Sequence, residues 1–247
     1  MWGVIVILNK KELLKMMLIT FSVVILSVLF LYGCNMYITA NTHGEELPVI
    51  IIDAGHGGED GGAVANDGTN EKDINLSIAK YLNDMFITGG FKTIMTRSND
   101  IAIYDEGCET IKSKKVSDMH NRLEIFNSDT NAIIISVHQN KFEQEKYSGT
   151  QVFYSPNSEK SEQLAENIRL SVVNMLQPDN TRENKKATKD IYLLYNCKQP
   201  SVIVECGFLS NNNELKMLKT EEYQKQIAFS IYCGCLEYIN SDSMGGI

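Results

Sequence analysis

The chain lacks a surplus of positive charge, and this excludes one large class of partners. Its 247 residues include 23 lysines and arginines against 31 aspartates and glutamates, a formal net charge of -8. A protein that binds nucleic acid needs a basic stripe to neutralise phosphates. The lysine-rich stretches at 112–115 and 185–189 are short and typical of solvated loops. We therefore expect no nucleic-acid partner.

Zinc-knuckle cysteines are also missing. The six cysteines never form a CxxC pair, so they do not predict a structural zinc site. Cys233 and Cys235 are two residues apart on a predicted helix, where their side chains point to different faces. We interpret the cysteines as small buried hydrophobic residues, although an exported protein can also form disulfides. Histidine is scarce as well, and we expect His43 and His120 to face solvent.

One long uncharged run distinguishes the N-terminus. Residues 17–33, MLITFSVVILSVLFLYG, follow three lysines. Seventeen helical residues extend roughly 26 Å, close to the thickness of a bilayer core. We predict that residues 1–33 form a signal or transmembrane anchor with its positive charges inside, and that residues 34–47 form a linker. Export followed by cleavage, or lipidation of Cys34 in a lipobox-like stretch, are the alternatives. In each case the rest of the chain acts outside the cytoplasmic membrane.

The remaining chain alternates apolar runs with helical stripes and shows no internal repeat, low-complexity tract or second domain. The spacing predicts strands at 49–52, 92–96, 132–137, 150–154, 191–194 and 201–204, and helices at 71–86, 116–126, 161–176, from 212, and 221–239. Several strands are apolar along their whole length, which is typical of a parallel sheet covered on both faces. The sequence therefore predicts an α/β fold with three layers, in which a mostly parallel, twisted sheet of about six strands has helices on both faces.

The stretch VIIIDAGHGGEDGG, residues 49–62, places a histidine in a glycine-rich loop directly after a buried strand. A phosphate-binding loop is excluded, because the sixth position of the G-x-G-x-x-G pattern is Asp60 and no Walker GK[ST] is present. Glu59 and Asp60 would also repel a phosphate. The glycines instead allow a tight bend that turns His56 inward.

Three predicted strands end in residues that suit a metal site, namely His56, His138 and Glu205, and Glu71 opens the helix after the glycine loop. The carboxyl ends of parallel strands meet at one edge of a sheet, where ligands bind. Catalytic zinc commonly takes three protein ligands and one water, whose pKa it lowers toward about 7. Four residues fit four roles, with His56, Glu71 and His138 as ligands and Glu205 as base and acid. Glu59 stays open as a ligand, because His56 and Glu59 form an H-x-x-E pair.

Three motifs resemble those of zinc-dependent N-acetylmuramoyl-L-alanine amidases of the type 3 family. Residues 53–79, DAGHGGEDGGAVANDGTNEKDINLSIA, are similar to D-P-G-H-G-G-x-D-x-G followed by G-x-x-E-K-x-x-N-L. SVHQN at 136–140 resembles S-I-H-A-N, and VIVECGFLSNNNE at 202–214 resembles V-L-V-E-x-G-F-L-S-N-x-x-E. The motifs occur in the family's order across roughly residues 48–239, so residues 48–240 are expected to be the zinc amidase catalytic domain.

This resemblance implies a reaction and a set of roles. Zinc is expected on His56, Glu71 and His138, with Glu205 as the catalytic glutamate, and Glu71 is favoured over Glu59. The substrate implied is peptidoglycan, cut at the amide between N-acetylmuramic acid and the L-alanine of the stem peptide. Two rival hypotheses remain, a zinc carboxypeptidase that trims cell-wall peptides and a non-catalytic wall-binding scaffold.

The chain also departs from the family pattern. Ala54 replaces a proline, and Gln139 replaces an alanine beside a ligand, a change from which weaker metal retention is one expected consequence. Asn140 and Arg122 are candidate substrate contacts, and Arg122 fits a charge on the surface of its helix equally well. A compact domain without wall-binding repeats is similar to the germination-specific, spore-cortex branch, which strips stem peptides so that muramic lactam can form. The segment 139–149 is too short for the blocking helix of some relatives, so we expect any control to come from an accessory protein.

Overall fold

The computed structural model describes residues 10–41 and 47–244, in two compact units divided after residue 46. The first contains helix α1 (Lys10–Asn41), which continues past Gly33 through the described part of the expected linker. Within the described ranges, no helix combines the length and apolarity that a membrane crossing needs. The retained anchor and the domain boundaries stay predictions, and His43 lies outside the described residues.

The second unit is built on one mixed sheet of six strands. These are β1 (Val49–Ala54), β2 (Thr93–Met95), β3 (Ala132–Asn140), β4 (Gln151–Tyr154), β5 (Lys185–Lys186) and β6 (Ser201–Phe208). Their order across the sheet is β2-β1-β3-β6-β4-β5, and every neighbouring pair is parallel except β4 with β6. The prediction of an α/β fold with a mostly parallel sheet is confirmed.

Helices cover both faces of this sheet. They are α2 (Glu71–Thr88), α3 (Ile111–Phe126), α4 (Glu159–Met175), α5 (Tyr192–Asn196), α6 (Asn212–Leu218) and α7 (Glu221–Met244). Successive side chains of a strand point to opposite faces. Ile50 and Ile52 therefore pack with α2, α4 and α7, whereas Ile51 packs with α3 and α5. Each fully buried side chain of this size contributes about 1.5–3 kcal/mol to folding.

The strand predicted at 191–194 is wrong, because these residues open helix α5. Tyr195 N donates to Ile191 O at 3.0 Å, and Cys197 N donates to Leu193 O at 2.9 Å. Leu193 packs with α3, while Leu194 packs with Ile203 of β6. Periodicity cannot distinguish a short apolar run in a strand from a buried turn of helix.

The lysine stretch predicted to be a loop contains strand β5 instead. Lys185 and Lys186 pair in parallel with Phe153 and Tyr154 of β4, and both lysines are exposed. They form the outermost strand of the sheet, where lysines hinder pairing with another chain. Two exposed lysines show no strand period, so no sequence signal could have revealed them.

Helix α7 approaches α4 very closely at Gly234. A Cβ built at this position would lie 2.6 Å from Ile168 Cα and 2.7 Å from Asn167 O. Both are backbone atoms, which cannot rotate away as the end of a side chain can. The two helices can therefore pack at this distance only because residue 234 lacks a side chain.

We predict that Gly234→Ala lowers the free energy of unfolding by about 1–2 kcal/mol. Overpacking costs about 1–3 kcal/mol, and the better helix propensity of alanine offsets part of it. Denaturant unfolding of the variant and of an Asn240→Ala control, an exposed position on the same helix, measures the effect. A variant as stable as the wild type would show that α4 and α7 separate at little cost.

Candidate metal centre

The glycine-rich loop after β1 bends sharply at His56. This residue has a φ of 62°, a left-handed conformation that is costly for a side chain with a Cβ. Gly57 follows with a φ of 142°, and a Cβ there would lie 2.2 Å from Ile101 O. The expected role of the glycines in the bend is therefore visible at Gly57, while His56 itself carries backbone strain. Surrounding contacts have to hold such strain in place.

Arg122 of α3 makes many of the contacts that hold the His56 loop in this conformation. Its Nη1 forms a buried ion pair with Asp53 at the end of β1 and also donates to Ala54 O at 2.9 Å. Its Nη2 donates to His56 O at 2.7 Å, and its Nε donates to Asp118 at 2.7 Å. Arg122 is 2% exposed. Arg122 is therefore not a surface charge of its helix, since its buried guanidinium binds the backbone of the loop, and its role as a substrate contact stays a prediction.

A second buried arginine, Arg97, fixes the other side of the same loop. Its Nε donates to Ala54 O at 2.8 Å, and its Nη2 donates to Gly55 O at 3.0 Å and to Lys72 O at 2.9 Å. The last contact joins the loop to the first turn of α2. Sequence analysis missed Arg97, because nothing in a lone arginine after a short strand indicates that it binds backbone carbonyls.

His56, Glu71 and His138 converge in the folded unit. Glu71 Oε2 lies 3.3 Å from His56 Nε2, and Glu71 Oε1 lies 2.9 Å from His138 Nδ1. One nitrogen or oxygen atom from each residue lies within 4.8 Å of the other two. The loop after β1, the start of α2 and the end of β3 therefore bring the three predicted ligands to one edge of the sheet.

Hydrogen bonds fix the carboxylate of Glu71, which is 3% exposed. Its Oε2 accepts from Ala63 N at 2.8 Å, and its Oε1 accepts from Gln139 N at 3.0 Å and from Asn75 Nδ2 at 3.2 Å. Burial acts to raise the pKa of Glu71, but the hydrogen bonds and charges of the two histidines hold it well below its usual range. The carboxylate is therefore ionised, as a metal ligand must be.

Asp60 orients the ring of His56 by accepting from its Nδ1 at 2.9 Å, which leaves Nε2 directed at Glu71. Lys115 Nζ in turn lies 3.0 Å from Asp60 Oδ1. Burial acts to lower the pKa of His56, but the two carboxylates raise it to about 9. Metal binding at Nε2 has to displace this proton. Sequence analysis did not assign this role to Asp60, although its position four residues after His56 was the available signal.

The donor set suits a transition-metal ion. Two imidazole nitrogens and one carboxylate are a ligand combination of catalytic zinc centres, whereas Mg²⁺ and Ca²⁺ prefer oxygen donors only. An imidazole that donates its second nitrogen to a carboxylate, as His56 does to Asp60, is the usual arrangement around such ions. The residues present therefore fit the metal that the sequence implies.

Glu205 lies beside this centre on β6. It is the register partner of His138 on the neighbouring strand β3, so the two side chains point to the same face of the sheet. Burial raises the pKa of Glu205 to about 7, and its Oε2 is buried without a partner among the described protein atoms. A carboxyl group with this pKa can both accept and release a proton near neutral pH.

Glu59, the alternative ligand, is not part of the group around Glu71. Its carboxylate oxygens lie 3.0 and 2.9 Å from Lys114 Nζ, and its side chain is 66% exposed. His120 is exposed on α3, as expected, with its ring 5.7 Å from that of Tyr192. Asn140 is half-buried at the end of β3, where its backbone oxygen accepts from Leu209 N at 2.8 Å.

A cavity of about 300 Å³ opens beside His56 and His138. Its walls include the apolar side chains of Tyr104, Met119 and Leu193, on the face of the sheet that α3 covers. The cavity borders two of the three predicted ligands, so the arrangement combines a candidate metal site, a buried carboxyl group and an adjoining cavity.

An α/β sheet with a His-Glu-His group and a buried carboxyl group at one edge is typical of metal-dependent hydrolases. Comparison with known proteins identifies which one. The chain belongs to the N-acetylmuramoyl-L-alanine amidase family, whose type 3 amidase model matches residues 50–237. It is therefore an enzyme that cleaves a cell-wall amide, as the sequence resemblance predicted.

The relatives agree with this membership. A germination-specific N-acetylmuramoyl-L-alanine amidase from Bacillus subtilis is 36% identical over 190 residues, covering 77% of this chain and 79% of the relative. A solved CwlD amidase from Clostridioides difficile, in complex with the GerS lipoprotein, is 41% identical with a TM-score of 0.76, covering 79% of this chain and all of the solved chain. The AmiC2 amidase of Nostoc punctiforme is 28% identical with a TM-score of 0.67, covering 80% and 99%.

We predict that His138→Ala and Glu71→Gln each weaken zinc binding more than about 100-fold, above the 10- to 100-fold typical of changes outside the ligand shell. His120→Ala is the matched control, because His120 is an exposed histidine outside the centre. Zinc titration of the three variants with a competing chelator gives the affinities. Equal affinity in His138→Ala and His120→Ala would exclude His138 as a ligand.

Proposed function

We propose that the chain is a zinc-dependent amidase that hydrolyses the bond between N-acetylmuramic acid and L-alanine in peptidoglycan, in maturation of the spore cortex. The observation that carries the chemical proposal is the register of β3 and β6. It pairs Glu205 with His138, next to His56 and Glu71. A proton-transferring group thus lies beside the metal ligands, as hydrolysis requires.

Each of the four residues has a distinct role in this proposal. His56, Glu71 and His138 would hold the zinc ion, since their nitrogen and oxygen atoms face one another in the structure. When bound, zinc supplies a Lewis acid and lowers the pKa of water toward about 7. Glu71 contributes the one negative charge among the three ligands, and its hydrogen bonds keep its oxygens in place.

Glu205 moves the proton in both halves of the reaction. As a carboxylate it accepts a proton from the water that attacks the lactyl carbonyl. As an acid it then donates this proton to the nitrogen of the departing L-alanine. The pKa of about 7, caused by burial, leaves both forms accessible at neutral pH. Arg122 and Asp53 take no part in the chemistry and hold the His56 loop in place.

The cortex role is supported by the relatives. The Bacillus subtilis relative is germination-specific, and the Clostridioides difficile relative is a CwlD amidase solved with the GerS lipoprotein. Stem-peptide removal by such an enzyme leaves muramic acid free to form lactam. The second relative also supports an accessory protein for this chain, so the purified enzyme alone is expected to work below its full rate. Full activity without any added protein would contradict that part of the proposal.

The contacts of Glu59 argue against the carboxypeptidase alternative, which needs His56, Glu59 and His138 on the metal. Lys114 holds Glu59 in an exposed ion pair, while Glu71 occupies the place between the histidines. Intact ligands and a neighbouring carboxyl group likewise argue against a scaffold without activity. Product analysis separates these hypotheses, because an amidase releases whole stem peptides and a carboxypeptidase removes only terminal residues.

We predict that Glu205→Gln lowers amidase turnover at least about 100-fold, the lower end of what a general acid–base group contributes, and leaves zinc binding unchanged. Glu124→Gln, at an exposed carboxylate of α3 outside the centre and the cavity, is the control and should keep both properties. Mass spectrometry of stem peptides released from purified peptidoglycan, with and without chelator, measures turnover. Wild-type turnover in Glu205→Gln would refute the role of this residue.

For the N-terminal unit, we propose that it directs the catalytic unit out of the cytoplasm. Apolar side chains of α1 between Leu14 and Leu29 are exposed, and lysines precede them. We predict that most of the protein is found outside the cytoplasm, and that a chain starting at residue 47 stays inside. Cell fractionation with a determination of the mature N-terminus measures both, and cytoplasmic full-length protein would refute export.

A further inference from the structure

We propose that Gln139 positions the metal ligand Glu71 through Asn75 and thereby strengthens zinc binding. This inference rests on the proposed zinc centre. It concerns the position at which the chain departs from the alanine of the family motif. The proposal reverses the expectation that glutamine in place of alanine at position 139 weakens metal retention.

The side chain of Gln139 is 3% exposed and, one residue after His138 on β3, lies on the opposite face of the strand. Its Nε2 donates to Asn75 Oδ1 at 3.2 Å. Its backbone N donates directly to Glu71 Oε1 at 3.0 Å, a contact that any residue at this position can make. The side chain therefore adds a second, indirect connection to the same carboxylate, and an alanine cannot supply it.

Asn75 is the connecting residue, and it lies one helical turn after Glu71 on α2. It is fully buried, and its Nδ2 donates to Glu71 Oε1 at 3.2 Å and to Gly55 O at 3.1 Å. Because Gln139 Nε2 donates to Asn75 Oδ1, the amide of Asn75 is held with its NH₂ group toward Glu71. These hydrogen bonds join β3, α2 and the His56 loop around Glu71 Oε1.

This arrangement costs folding free energy at the other polar atom of the amide, Gln139 Oε1. Gln139 Oε1 is buried and has no hydrogen-bond partner among the described protein atoms. A buried acceptor without a protein partner opposes folding, so an apolar side chain of similar size would suit this position better for stability alone. What the amide supplies, and an apolar side chain would not, is the hydrogen bond from Nε2 to Asn75.

The test uses Gln139→Met, which keeps the size of the side chain and removes its donor. We expect the zinc dissociation constant to rise about tenfold, as is typical when a partner outside the ligand shell is lost. The unfolding temperature of the metal-free protein should stay the same or rise. Gln224→Met is the matched control. Gln224 of α7 is also a buried glutamine, and its Nε2 donates to Leu218 O at 2.7 Å.

A double-mutant cycle tests the route through Asn75. In an Asn75→Ala background, Gln139→Met should cause no further loss of zinc affinity. Unchanged affinity in Gln139→Met, or an equal loss in both backgrounds, would overturn the proposal. If Gln139→Met lowers the unfolding temperature, Gln139→Leu repeats the cycle with another apolar side chain.

The Glu71→Gln variant separates this proposal from the one it rests on. Suppose that Glu71→Gln loses zinc binding while Gln139→Met keeps wild-type affinity. This result would support the metal centre and refute only the positioning role of Gln139. Zinc binding that survives Glu71→Gln would refute the centre itself.

Discussion

The buried ion pair between Asp53 and Arg122 is the interaction on which the metal centre depends. Asp53 ends the apolar part of β1 and is fully buried, with Thr96 and Ser136 also donating to its carboxylate. Arg122 uses its remaining donors on the carbonyl oxygens of Ala54 and His56. Removing one member of a buried pair typically costs 3–5 kcal/mol, because the other charge is left uncompensated. Here the loss would also release the strained backbone that directs the His56 ring at Glu71.

The rest of the centre is built on the rigid parts of the fold. His138 and Glu205 lie on two paired strands, and Glu71 lies on the first turn of α2, so their separation is set by sheet register and by the docking of one helix. Only His56 comes from a loop, and Arg122 and Arg97 bind the backbone of that loop from two sides. His56 in the loop is therefore held about as firmly as His138 on its strand, which suits a candidate metal centre that needs a preformed geometry.

Much of this could be predicted from the sequence, and the failures have physical causes. Apolar runs ending in His56, His138 and Glu205 predicted the edge of the sheet where they meet, because strand direction and the two-residue period are local properties. Whether residues 191–194 form a strand was not determined by the local sequence. Lys185 and Lys186 occupy the position beside β4, and residues 191–194 open helix α5 instead. The partners of Arg122, Arg97 and Asp60 also depend on folding, because they are carbonyls and rings brought together from distant segments. A motif lists the ligands, but the contacts that orient them require coordinates.

The antiparallel direction of β4 determines where added residues between β3 and β4 would lie. Because β4 runs against β6 and begins opposite Glu205, the chain leaves β3 and enters β4 at the same rim of the sheet. The connection at 141–150 therefore starts and finishes beside the centre. Added residues in a surface loop cost little conformational entropy and leave the strand pairing undisturbed. Residues inserted in this connection would thus lie over the candidate metal centre and leave unchanged the strands that carry His138 and Glu205.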